Sequence, residues 1–197
     1  MQTAEVIGRL RAGFSIIEDN ERFLDEHDIY PFPAGCAGQA IVQSAEDPFR
    51  WLVENGVGYS DDVRTKFMRS ARRHHGVFFS SWFIGFFAPL AGVSEVTPAL
   101  LAKCLASAGD HALGSSSRWH PRDFGPVAVA VAEAAAASAG VPGALPADVF
   151  NDAHQRSVAA VAEGADVDIG KRVGFCPFAE VVAFEMLLRG STYGTAR

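Results

Sequence analysis

The sequence has few cysteines: three among 197 residues, at Cys36, Cys104 and Cys176. Their odd number and wide separation argue against a disulfide framework, and no Cys-x-x-Cys pair indicates a structural zinc site. Sparse, unpaired cysteines are typical of proteins in a reducing compartment. We therefore expect a cytoplasmic protein.

Positive charge is also scarce. Lys and Arg total 17 against 23 Asp and Glu, which gives a net charge of −6. This balance argues against a broad phosphate-binding surface, so we expect no nucleic-acid partner, although it leaves room for a local basic patch.

Long uninterrupted apolar runs are missing as well. The most apolar run, residues 77–93, contains Ser80, Gly85 and Pro89 and is shorter than the roughly 20 residues that a spanning helix needs. The amino terminus carries Glu5 and Arg9 within its apolar stretch, which is not the pattern of a secretory signal. We expect a buried core helix and no membrane association.

Apolar side chains recur at spacings of three and four, and strand-like alternation is rare, so the sequence predicts one all-α domain. Proline and glycine mark the helix limits. A separate helical turn is predicted to begin at Asp47-Pro48. The other predicted helices cover residues 3–17, 20–27, 34–44, 60–87, 97–113, 121–139, 146–163 and 178–188.

The six histidines are the natural candidates for a ligand or a base, because no cysteine pairs compete with them. On the predicted helix 60–87, His75 falls on an aromatic stripe with Phe79, while His74 is turned about 100° away. On the next long helix, His111 follows Cys104 and Ala108 at helical spacing. The pattern therefore predicts two core-facing histidines on two different helices, an arrangement that suits a cofactor between them.

These residues resemble the globin family. The resemblance rests on His75-Gly76-Val77 after Arg72-Arg73, on the Asp110–Gly114 helix end with His111, and on the order of the helices around them. It implies a globin-like bundle of about seven to eight helices, with non-covalent haem b bound through His111 and with His75 on the distal side.

The same resemblance implies further roles. Phe79 would line the distal pocket, Phe49 would pack on the porphyrin edge, and Arg72 would pair with a haem propionate. His75 would be the catalytic residue if the haem turns over its ligand, which would be O₂, NO or CO. Because the sequence shows no reductase module, electrons would come from a separate reductase.

Residues 1–165 would form the globin-like domain, and residues 166–197 an extension that packs on it or mediates a homodimer through Phe184 and Leu187. Two alternatives stay open. One is a haem-free globin-like sensor or interaction domain. The other is a helical biosynthetic enzyme acting on a small aromatic or apolar substrate, of dioxygenase or peroxidase type if it uses haem. A di-iron bundle is disfavoured, because no Glu-x-x-His pair occurs.

Overall fold

The computed structural model describes residues 1–26, 36–115, 124–165 and 178–193. Within these ranges the chain forms α-helices and no sheet, which confirms the all-α prediction. The helices are α1 (Thr3–Asp19), α2 (Glu21–Glu26), α3 (Ala37–Asn55), α4 (Ser60–Ser70), α5 (Arg73–Phe87), α6 (Pro98–Ser115), α7 (Phe124–Ala139), α8 (Pro146–Ala165) and α9 (Phe178–Tyr193), with one 3₁₀ turn at Ala88–Leu90.

The long helices pack around a common core in the order α1, α3, α5, α6, α7, α8 and α9, and α9 closes the circuit against α1. Their inner faces are rich in phenylalanine, and the largest buried side chains include Trp82, Phe49, Phe79 and Phe184. Aromatic side chains bury large apolar areas, so this cluster contributes much of the stability of the fold.

One predicted helix is in fact two. The chain is extended at Ala71 and Arg72, and Arg73 has a positive φ of 52°, which separates α4 from α5. The backbone N–H of Arg72 donates to Ser44 Oγ on α3 at 2.7 Å. This contact satisfies a backbone donor outside any helix and holds the corner in place, a tertiary effect that helical periodicity does not reveal.

Two predicted segments, 34–44 and the turn from Asp47, form one helix instead. Pro48 lies inside α3, although proline removes a helical hydrogen bond. Pro48 is buried together with Ala45, Phe49 and Leu52. Packing of this apolar face against the core offsets the lost bond.

Helix α9 belongs to the core of the chain. It packs against α1 and α8, and Phe184 and Leu187 are completely buried within the chain. Burial of each such side chain contributes roughly 1.5–3 kcal/mol. These two side chains therefore pack within the chain, which is the first of the two arrangements considered for this segment.

No helix in the part of the chain described above is long and apolar enough to cross a bilayer.

Candidate functional site

His75 lies in the first turns of α5 and points into the core, as predicted, with a side chain only 2% exposed. Its Nδ1 lies 2.5 Å from Oε1 of Glu180, near the start of α9, and that side chain is 4% exposed. A carboxylate on Nδ1 fixes the ring orientation and favours the tautomer with its proton on that nitrogen. This buried pair is the clearest polar feature of the core.

Aromatic side chains are packed next to the His75–Glu180 pair. Phe79, one turn after His75, stacks on Phe124 with ring centroids 4.7 Å apart. Phe124 meets Phe184 edge to face at 5.2 Å. Phe79 therefore lies in the core, where it packs against an aromatic ring of α7.

A second histidine on α8 pairs with the same helix. His154 Nε2 lies 2.9 Å from Oε1 of Glu185, and Arg189 is 3.8 Å from the same carboxylate oxygen. The two glutamates of α9 thus contact histidines from two different helices. This pattern is typical of hydrogen-bonded side chains that connect neighbouring helices, since each buried polar group requires a partner.

Neither glutamate is predicted as a site residue by the sequence pattern. Glu180 is 105 residues from His75 and Glu185 is 31 from His154, so no local motif connects them. A weak signal existed: Glu180 and Glu185 interrupt the apolar stretch from Phe178 to Leu188. Charged residues in a helix that is otherwise apolar need a buried partner or an exit to water.

The prediction that His111 faces the core is wrong, because its side chain is exposed. The buried stripe of α6 runs from Cys104 through Ala108 to Ala112, which is completely buried. Helical periodicity allows position i+3 or i+4 to continue a stripe, and here i+4 does so.

The predicted haem ligand set does not fit this arrangement. His111 faces solvent, while His75 is engaged by Glu180. Helices α5 and α6 also approach closely: a Cβ on Gly85 would lie 2.5 Å from the carbonyl oxygen of Ser107. No space for a macrocycle separates the two helices at this crossing.

The other residues assigned to haem lie elsewhere. Phe49 is fully buried and packs against Phe14 and Phe83 at centroid distances of 5.1 and 4.9 Å. Arg72 is exposed, and its guanidinium donates to the carbonyl oxygens of Arg69 and Ala71 at 3.1 and 3.2 Å. Arg72 therefore caps the end of α4.

The described residues give little support to another kind of metal site or to a nucleophilic cysteine. They contain no group of three or more His, Cys, Asp or Glu side chains placed to hold a metal ion. Burial raises the pKa of the Cys104 thiol to about 12, so this cysteine is unreactive, as expected of a core residue. His27, His120 and Cys176 lie outside the described residues.

The arginines of the described residues fall into two groups. Six form a salt bridge with a carboxylate: Arg9, Arg11, Arg22, Arg50, Arg156 and Arg189. The remaining four have no carboxylate partner among the described residues, and all of them lie between positions 64 and 73: Arg64, Arg69, Arg72 and Arg73. The sequence has no Asp or Glu between Asp62 and Glu95.

These four exposed arginines, together with the neighbouring Met68, form what we call the α4 arginine surface. A shallow groove of about 490 Å³ runs along it and is lined by Asp61, Arg64, Thr65, Met68 and Arg69. Met68 is 52% exposed. The surface thus combines unneutralised guanidinium groups with an accessible apolar side chain.

No protein-family model matches this chain, and no curated protein matches it significantly.

Proposed function

We propose that this protein is a haem-free helical interaction module, and that it binds an anionic partner through the α4 arginine surface. The observation that carries the proposal is the separation of the arginines into paired and unpaired groups. In a chain of net charge −6, the four arginines that lack a carboxylate partner among the described residues all lie between positions 64 and 73. Unneutralised charge of one sign attracts partners of the opposite sign and speeds their association.

The buried histidine pairs support the same proposal. His75 and His154 are engaged by carboxylates of α9, in positions where they join helices. Phe79 and Phe124 fill the space beside His75.

A fluorescence anisotropy measurement tests the proposal. The probe is a fluorescein-labelled peptide of ten glutamates, and the variant is Arg64→Gln with Arg69→Gln. If each arginine contributes about 0.7 kcal/mol, the double variant binds about tenfold more weakly. The matched control is Arg22→Gln with Arg50→Gln, which removes the same charge from exposed, salt-bridged positions.

If the two double variants weaken binding of the peptide equally, the proposal is contradicted, because binding would then depend only on the net charge of the protein. Binding that persists at 0.5 M NaCl would also contradict it, because exposed ion pairs are screened at that ionic strength.

The competing function, haem-based binding of O₂, NO or CO, rests on the globin resemblance. An absorption spectrum after haem addition, in ferric, ferrous and CO-bound states, separates the two functions. We expect no specific Soret band, and no change in the spectrum or the stability on His111→Ala. A sharp band that shifts with CO and collapses in His111→Ala would overturn the haem-free assignment.

A further inference from the structure

We infer that the partner is an acidic protein segment with an apolar side chain that packs on Met68. This inference rests on the proposed function and specifies the chemistry of its partner. Its basis is the groove on α4, where an exposed methionine lies between guanidinium groups.

Met68 distinguishes a peptide from a simple polyanion. It lies one helical turn after Arg64 and directly before Arg69, so the apolar side chain is flanked by cations within the groove. A methionine side chain is unbranched and polarisable, and it adapts to apolar groups of different shapes. A phosphodiester backbone or a run of carboxylates gains nothing from this contact, whereas an acidic peptide with one apolar residue uses both features.

The charge distribution along the groove favours the same partner. Asp61 lines one end and Arg69 the other, and Asp62 stands beside Asp61. A helix rises 1.5 Å per residue, so the groove is roughly 12 Å long. A duplex backbone that followed α4 would bring phosphates against two carboxylates. A short peptide places its acidic residues only at the arginine end.

Arginine also suits carboxylate partners geometrically. The guanidinium group presents its donors in a planar fork that matches a carboxylate in a two-bond contact. Arg72 is held in place by its bonds to the carbonyl oxygens of Arg69 and Ala71. The neighbouring Lys66 is not part of this set, because its amino group lies over the ring of Trp51 at 5.3 Å.

The experiment compares four labelled probes at the same salt concentration. They are a peptide of ten glutamates, the same peptide with two central leucines, a twelve-base-pair DNA duplex, and vesicles of phosphatidylserine and phosphatidylcholine. We expect the leucine-containing peptide to bind about fivefold more tightly than the all-glutamate peptide, and more tightly than the duplex or the vesicles.

Two variants then test whether Met68 is responsible for the preference for the leucine-containing peptide. Met68→Gln should abolish the fivefold preference. Leu145→Gln is the matched control, since Leu145 is 62% exposed on another part of the surface, and it should preserve the preference. Both substituted side chains are exposed, and circular dichroism checks that both variants fold.

The outcomes separate the two proposals. Equal binding of the two peptides, or a preference that survives Met68→Gln, overturns this inference and leaves the proposed function in place. Tighter binding of the duplex or of the vesicles overturns it as well, in favour of nucleic acid or of an anionic membrane. If the double variant Arg64→Gln with Arg69→Gln binds both peptides as tightly as the unaltered protein does, the proposed function itself is overturned.

Discussion

At the scale of single residues, the chain uses its polar side chains in two distinct ways. Inside, His75 and His154 pair with Glu180 and Glu185. Outside, the arginines between positions 64 and 73 have no carboxylate partner among the described residues. The first use lowers the cost of burying polar groups in a helical core, and the second leaves charge available for a partner.

We expect the buried His75–Glu180 pair to stabilise the fold. Glu180→Gln removes the charge from a hydrogen bond that lies out of contact with water, so we expect the free energy of unfolding to fall by about 2 kcal/mol. Urea unfolding followed by circular dichroism measures the change. The control is Glu163→Gln, in the exposed Arg156–Glu163 pair, where we expect less than about 0.5 kcal/mol. Equal losses in the two variants would show that the buried pair is not specially stabilising.

At the scale of elements, close helix crossings depend on glycine. Gly190 on α9 lies against the backbone of Gly13 on α1, and a Cβ on Gly190 would come within 2.6 Å of the Gly13 nitrogen. The two helices can approach this closely only because neither residue has a side chain. Two adjacent glycines from different helices therefore fix the position of α9 in the core.

Gly190→Ala should destabilise the protein by about 2 kcal/mol, because overpacking at the crossing outweighs the better helix propensity of alanine. Thermal unfolding measures the effect. The control is Gly114→Ala, also within a helix, where the added Cβ would meet none of the described residues within 4 Å apart from its own helix backbone and its chain neighbours. There the propensity gain should dominate, and stability should stay equal or rise. The prediction fails if both substitutions change the stability in the same direction.

At the scale of the whole molecule, α9 closes the circuit of helices. It packs against α1 and α8, and its Phe184 contacts both Trp82 of α5 and Phe124 of α7. We expect a core that α1 and α9 share to unfold as one cooperative unit. Without α9, the part of the chain before residue 166 would therefore leave one side of its core uncovered.

A chain that ends at residue 165 should lose cooperative unfolding, because removal of α9 exposes the aromatic side chains it covers. Near-ultraviolet circular dichroism and dye binding during urea unfolding test this expectation. A chain that ends at residue 193 serves as the control, since it retains all of α9. A sharp transition in the shorter chain would support the boundary at residue 165 that the globin resemblance implies.

Much of the secondary structure follows from local spacing along the sequence. Spacings of three and four predicted α1, α6 and α8 nearly to their observed limits, and Thr97 caps the start of α6 through its bond to the N–H of Leu100 at 3.1 Å. Periodicity also placed His75 in the core, because its stripe continues over several turns. These features are local, and local spacing encodes them.

The remaining features depend on contacts between distant parts of the chain. Ser44, from another helix, holds the break between α4 and α5, and packing keeps Pro48 inside α3. One residue of rotation decided that Ala112, and not His111, faces the core. The pairing of His75 with Glu180 joins positions 105 residues apart. Each of these depends on which surfaces meet in three dimensions, and helical spacing carries no information about that.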